Sequence, residues 1–300
     1  LRLRLLLSGQ AAQRPHVGLG YRDRIDGWIA ANLARFEVLE VTLDNCLFGG
    51  EAACAAVFGL VGKIPLTAHG IGLSIGTDAP LDLAYLDRIA ALLDRLQAPA
   101  YSEHLAFTRV AGRELGNLLP LPRTRSVAES VIAKVRTVQS RIAVPFLLEN
   151  ITYMFDWPDS ELSDVEFLTL ICRETGAGIL LDLENLYLNG VNHGFDAYAF
   201  IDALPSDLVK EIHLAGGKTV SEPFLPRPLL VDTHSYPVPE GALALLDFTL
   251  ARQSPATIVL ERDERLEETE EIIADLEVIR ARIAAHLHAR SESTHVEFSI

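Results

Sequence analysis

The sequence predicts an α/β protein of the (β/α)8 TIM-barrel class. Three observations carry that prediction: eight short apolar runs of strand length, stretches with helical spacing between most of them, and a length of 300 residues. Barrels of this kind typically run to about 250 residues. With 49% hydrophobic residues and a mean hydropathy of +0.21, the chain can bury one large core. An open doubly wound sheet is the alternative for the same alternation of elements.

In chain order the strand-like runs are HVGLG from His16, FEVLEV from Phe36, PLTAHG from Pro65, AYSEHL from Ala100, PFLLEN from Pro145, GILLDL from Gly178, KEIHLAG from Lys210 and TIVLERD from Thr257. Between them, LDLAYLDRIAALLDRL (Leu81 to Leu96), SVAESVIAKVRTVQSRI (Ser126 to Ile142) and SDVEFLTLICRET (Ser163 to Thr175) repeat apolar residues at helical spacing. Ser126 and Ser163 stand where N-caps belong, and Gly176 stands where a helix stops. The seventh run is followed by a long Pro-rich loop, LAGGKTVSEPFLPRPLLVDTHSYPVPEG; long loops inside a compact domain are often functional. The expected organisation is a flexible leader over 1–15, one barrel domain over 16–290 and a tail over 291–300.

Composition narrows the function classes. A formal net charge of −15 opposes a sequence-independent grip on phosphate backbones, so nucleic acid is not an expected partner. The opening LRLRLLLSGQAAQRP has too short an apolar run for a signal sequence, and no later segment is an uninterrupted apolar span of membrane length. Cys46, Cys54 and Cys172 have no CxxC spacing and leave an odd count. Neither a disulfide framework nor a thiolate zinc site is indicated, and a reducing cytoplasm is the simplest location.

Reactive groups in a TIM barrel come from the C-terminal ends of the strands and the loops that follow. Those positions hold His69, His104, Glu149, Asp182, His213 and Glu261, and the long loop adds Asp232 and His234 in a DTH triplet. In an extended segment that triplet points both side chains the same way. A lone histidine or acid at a strand end is usually structural, but four histidines and four carboxylates at equivalent edges of one barrel would be costly without a compensating cation. Four carboxylates beside four neutral imidazoles carry too much charge for one divalent ion and suit two or three. The oxygen and imidazole donors admit iron, manganese or zinc. Glu103, beside His104, is expected to face another layer, as a supporting partner or a core-facing acid.

The segments AHGIGLSIG, SEHLAF, LPLPRT, LLENITY, LLDLENLYLNGVNHGFD, EIHLAGG, LVDTHSYPV and LERD, in that order, resemble the multinuclear non-haem iron-dependent oxidative enzymes, the MNIO family. The likeness runs from about Val17 to Asp263. It implies a TIM barrel holding two or three irons that uses dioxygen to modify a peptide, commonly at cysteine, in the biosynthesis of ribosomally made peptide products. Carried over residue by residue, it makes His69, His104, Glu149, Asp182, His213, Asp232, His234 and Glu261 iron ligands, with Asn185 as a ninth. His193 in the NHG triplet matches a motif near the family's substrate side, or it holds its loop. Arg22 matches the family's arginine after the first strand, where it would meet a substrate carboxylate or an acid such as Asp44.

Two departures concern the substrate pocket: many relatives have consecutive asparagines where this chain has Glu184-Asn185, and a Glu-Asn pair where it has Asp44-Asn45. Cys46 could approach that pocket, although a packed thiol is the commoner case; Cys172 is expected in the core. A more distant resemblance is to endonuclease IV, a three-zinc barrel with a similar ligand order, so a zinc phosphodiesterase is an alternative. The net charge and Asn185, where that family has histidine, stand against it. A non-catalytic metal or peptide carrier is a further alternative. For the leading reading the expected partners are a Cys-containing precursor peptide and a small recognition protein, because a closed barrel offers no sheet edge to an extended peptide.

Overall fold

The computed structural model describes residues 14–223 and 227–297. Its strands in chain order are β1 (His16–Gly20), β2 (Val38–Thr42), β3 (Leu66–Gly70), β4 (Tyr101–His104), β5 (Phe107–Val110), β6 (Arg113–Leu119), β7 (Phe146–Glu149), β8 (Gly178–Asp182), β9 (Val209–Leu214), β10 (Lys218–Val220), β11 (Leu229–Val231) and β12 (Thr257–Leu260). The α-helices are α1 (Asp26–Ala31), α2 (Leu43–Phe48), α3 (Gly50–Phe58), α4 (Leu83–Leu96), α5 (Arg125–Gln139), α6 (Asp164–Thr175), α7 (Leu183–His193), α8 (Ala197–Ala203), α9 (Glu240–Leu250) and α10 (Thr269–Glu297).

Eight of the strands close a parallel barrel in the order β1-β12-β9-β8-β7-β4-β3-β2, which is the predicted (β/α)8 fold. All eight expected runs became barrel strands. Two short antiparallel hairpins, β5-β6 and β10-β11, are insertions that the run pattern did not reveal. The second hairpin organises the Pro-rich loop.

Strand periodicity sorts each run into two faces. Leu39, Val41, Ala68, Tyr101, Leu148, Ile179, Leu181 and Ile212 join the large core between barrel and helices. Ala100, Leu147 and Leu180 form a separate buried cluster. Stepping two residues along each of those three strands leads from that cluster to Ser102 and His104, to Glu149, and to Asp182. The barrel is therefore plugged by apolar side chains below and polar side chains above. The register places those polar groups at one height, with His104 opposite Glu149 and Asp182 opposite His213.

Helix ends follow local chemistry. Ser163 caps α6 in a complete capping box with Glu166, and Gly176 ends that helix at φ 73°, a conformation natural to glycine. Ser126 is not the cap of α5. Thr124, two residues nearer the Pro122 turn, has the extended backbone a cap requires, and its hydroxyl accepts the Val127 N–H at 3.2 Å. Asp82 caps α4 through the Ala84 and Tyr85 amides. The last helix continues to Glu297, past residue 291, where the sequence pattern placed the start of a tail. The expected leader over 1–15 lies outside the described residues except for Arg14 and Pro15. Among the described residues no helix is long and apolar enough to cross a membrane.

A buried arginine ties the last helix to the residues that follow β12. The Arg262 guanidinium is fully buried and donates to Asp275 Oδ2 at 2.9 Å and to the Ser235 carbonyl at 3.1 Å. It thereby joins β12, α10 and the residue after His234. Glu271 Oε2, 3.3 Å from Arg262 Nη1, keeps part of the charge compensated, so Asp275→Ala should cost about 1–3 kcal/mol in stability, the penalty of a buried donor left unpaired. Equilibrium urea unfolding measures this; a loss under about 1 kcal/mol would show that solvent reaches the pair.

Candidate metal centre

Each of the four histidines uses one ring nitrogen to bond backwards into the fold. His69 Nδ1 lies 2.8 Å from Ser102 Oγ, whose own hydroxyl is directed to the Ala68 carbonyl at 3.3 Å. The serine therefore accepts from His69 Nδ1–H. His104 Nδ1 meets the Gly70 carbonyl at 3.1 Å, His213 Nε2 meets Glu40 Oε2 at 3.0 Å, and His234 Nδ1 meets Asp263 Oδ2 at 2.8 Å. Carbonyls and carboxylates accept, so in the neutral ring the outward nitrogen holds the proton and the opposite nitrogen carries a lone pair. This is the arrangement by which supporting groups fix the tautomer of a metal-binding imidazole.

Those lone pairs converge on carboxylates. His69 Nε2 and His104 Nε2 lie 3.4 and 3.3 Å from the same oxygen, Glu149 Oε2. His213 Nδ1 lies 3.5 Å from Glu149 Oε1 and 3.1 Å from Glu261 Oε2. His234 Nε2 lies 2.8 Å from Asp232 Oδ1. The buried atoms Glu149 Oε2, Asp182 Oδ2, Asn185 Oδ1, His213 Nδ1, Asp232 Oδ1 and His234 Nε2 have no hydrogen-bond partner. Orphaned acceptors facing one another are costly unless a positive charge lies between them. Three groups on these residues bring ligand atoms within 4.8 Å of each other: His69, His104 and Glu149; Glu149, Asp182, His213 and Glu261; and Asp232 and His234 with Glu184. Nitrogen and oxygen donors in these numbers fit first-row divalent ions.

The electrostatics point the same way. Burial alone would lower the His104 pKa, but Glu149 and Glu103 outweigh it and raise it to about 9. Burial is likewise overcome at His213 by Glu40 and Glu261, and at His234 by Glu261 and Asp232. Glu149 resists the upward push of burial because His104 and His69 hold it near 2, whereas Asp182 is raised by burial and by the charge of Glu149. The mouth of the barrel attracts cations.

Eight of the nine expected ligands line one cavity of about 940 Å³ at that mouth, and His213, fully buried, lies just beneath it. Asn185 turns its amide nitrogen to the Asn150 carbonyl at 3.1 Å and leaves Oδ1 facing the cavity side. The DTH triplet is not extended as its spacing suggested. His234 has φ 46°, and the turn brings its ring back onto Asp232. Arg22 lines the cavity but spends its guanidinium on Glu261 and Asp263 rather than Asp44. Asp44 instead receives the Ile71 amide and the Tyr85 hydroxyl. His193 stands apart from the cavity lining: it is exposed, stacks on Tyr153 at 4.5 Å and bonds the Tyr153 carbonyl at 2.8 Å, the contacts of a loop-holding residue.

Glu103 faces away from the cluster and accepts the Leu73 and His104 amides at 2.7 and 2.9 Å, which holds the loop after β3 in place. Cys172 is buried with its thiol pushed up to about 12 by burial, and Cys46 is buried and raised to about 12 by burial and Cys54. Neither is a reactive thiol.

Sequence reasoning missed Glu40, Glu211, Ser102 and Asp263, and singled out Glu184 only as a departure in the substrate pocket. Glu40 and Glu211 are buried at 1% and 2% exposure beside His213. A signal existed, because each acid interrupts an apolar strand and Glu211 stands two residues before His213, on the same face. Burial followed by Glu40 raises Glu211 to about 8. Burial and Asp232 push Glu184 up to about 8, against relief from His234 and the Gly217 amide.

Comparison with known proteins extends this picture. The chain is 34% identical over 269 residues to a UPF0276 protein of Caulobacter vibrioides, covering 89% of this chain and 94% of the relative. It is 36% identical over 250 residues to a UPF0276 protein of Acinetobacter baylyi, with 82% and 84% covered. Among solved structures, endonuclease IV from Thermus thermophilus superimposes with TM-score 0.57 at 18% identity, over 90% of this chain and 100% of that one. The 3-keto-D-glucoside 4-epimerase YcjR from E. coli does so with TM-score 0.58 at 16%, over 89% and 99%. Likenesses at those identities show the barrel fold alone. Residues 16–284 match the family of RiPP precursor modification enzymes MbnB/TglH/ChrH, and the chain belongs to that family.

Proposed function

We propose that this RiPP precursor modification enzyme is a multinuclear iron-dependent oxidase that uses dioxygen as co-substrate to modify its precursor peptide at a cysteine. The observation that carries the metal part is the set of four imidazoles, each with its outward nitrogen bonded to an acceptor and its inner nitrogen turned to a carboxylate, Glu149 being shared by three of them. In this reading His69, His104, Glu149, Asp182, Asn185, His213, Asp232, His234 and Glu261 hold two or three irons. Bound iron would supply a Lewis acid that lowers the pKa of a substrate thiol, together with electrons for dioxygen. The oxidative and cysteine-directed parts rest on the sequence resemblance described first.

The chain's own residues set the conditions. Ser102, Gly70, Glu40 and Asp263 orient the imidazoles, and Arg22 offsets charge from Glu261 and Asp263. Met154, Phe155 and Ile71 line the cavity while 56%, 43% and 42% exposed, and form an apolar rim suited to peptide side chains. A cytoplasmic location accords with the three free cysteines. A small recognition protein remains part of the reading, although among the described residues β6 pairs with β5 alone and its residues Gly116 to Leu119, which line the cavity, offer an extended peptide a sheet edge on the chain itself.

Protein purified from iron-supplemented cells should contain two to three irons per chain by elemental analysis. Stoichiometric zinc, with activity indifferent to iron removal, would transfer the assignment to a phosphodiesterase. Replacing Asp232 and His234 together by alanine should remove one metal and leave the folded core intact by circular dichroism, because both side chains come from a loop. Unchanged metal content in the folded double variant would take that loop out of the site.

Coexpression with a Cys-containing precursor and the recognition protein should change the peptide's mass only when dioxygen is present. A Cys→Ser precursor serves as control. A mass change that persists in the control would rule out cysteine-centred chemistry, and full activity without the second protein would remove it from the reading.

A further inference from the structure

Glu184 is fully buried, and neither of its carboxylate oxygens makes a hydrogen bond of normal geometry. It stands in the first turn of α7 next to Asn185. Adjacent helical residues diverge by about 100° around the axis, so while Asn185 faces the Asp182 side, Glu184 faces the hairpin β10-β11. There it meets Asp232 and His234, with ligand atoms of all three residues within 4.8 Å of one another. His234 Nε2 carries a lone pair, because Nδ1 is committed to the Asp263 carboxylate at 2.8 Å. Asp232 Oδ1 lies 2.8 Å from that nitrogen, yet neither atom has a hydrogen-bond partner. With both carboxyl groups ionised and the His234 ring neutral, three buried acceptors face one another, which is the donor set of a cation site.

We infer that Glu184 is a tenth protein ligand, which completes with Asp232 and His234 a site for one divalent first-row cation. The inference rests on the metal-centre reading above and adds to it a residue outside the nine-residue set. The fold supports the placement. A Cβ on Gly217 would stand 2.8 Å from Glu184 Oε1 and 2.3 Å from the Val231 carbonyl, so the bare backbone at Gly217 is what leaves the carboxylate room beside the hairpin. Two carboxylates and one imidazole match the charge of such a cation.

The test is metal stoichiometry. Wild type, Glu184→Gln, Glu184→Ala and the Asp232→Ala/His234→Ala double variant are purified from iron-supplemented cells and analysed for metal, with melting temperature as the folding control. Metal-stripped samples are titrated with Mn²⁺, and the free ion is followed by EPR. Both Glu184 variants should lose about one equivalent of metal, as the double variant does, and should bind the last Mn²⁺ on the order of tenfold or more weakly. A folded Glu184→Gln or Glu184→Ala protein with wild-type stoichiometry and affinity overturns the inference. If the double variant has lost its equivalent in that case, Glu184 alone drops out. If the double variant has kept it, the cation site itself does.

Discussion

The barrel mouth depends on one constraint: lone pairs on buried histidine and carboxylate atoms point at each other with no hydrogen-bond partner between them. His69 and His104 both address Glu149 Oε2 within 3.4 Å. That oxygen has no hydrogen-bond partner of its own. In water such a cluster would relax by rotating away. Here it cannot, because Ser102, Gly70, Glu40 and Asp263 hold the far side of each imidazole. Stability has been exchanged for a site that draws in positive charge, and the apolar plug of Ala100, Leu147 and Leu180 beneath it supplies the rigidity that makes this tolerable.

How much of this was legible in the sequence follows from periodicity. A parallel strand buried on both faces reads as an apolar run, so all eight barrel strands were visible, and so were the polar residues that close them. Residues below the mouth were harder to recognise. Glu40 and Glu211 sit inside apolar runs, where a single acid reads as an exception unless the residues two positions further on are already known to face inwards. The hairpins β5-β6 and β10-β11 are three to seven residues per strand with exposed or half-exposed faces, too short and too polar to announce themselves. Ser126 and Thr124 are both good caps by residue type. Only the backbone after Pro122 decides between them.

Tertiary geometry also decided residues whose type was right but whose partner was not visible. Arg22 was expected to meet a substrate carboxylate or an acid such as Asp44; the acids it meets come from the far end of the chain, because β1 pairs with β12 when the barrel closes. That closure makes Glu261 and Asp263 neighbours of a residue some 240 positions earlier. Local sequence favoured Asp44, which the Ile71 amide and the Tyr85 hydroxyl already occupy.

The same closure explains where a peptide can be met. A barrel without edges has no place for an added strand, and from sequence alone that was a reason to expect recognition from outside. The insertion between β4 and α5 changes the premise. Gly112 and Gly116, at φ 73° and 70°, give the β5-β6 ribbon its turn and its irregular register. They lay β6 along the cavity with one edge paired to β5 and, among the described residues, the other unpaired. An open edge, an apolar rim and a polar floor that attracts cations thus occur within one cavity. The catalytic barrel and its loops already hold the physical elements for contacting both the backbone and the side chains of a peptide substrate.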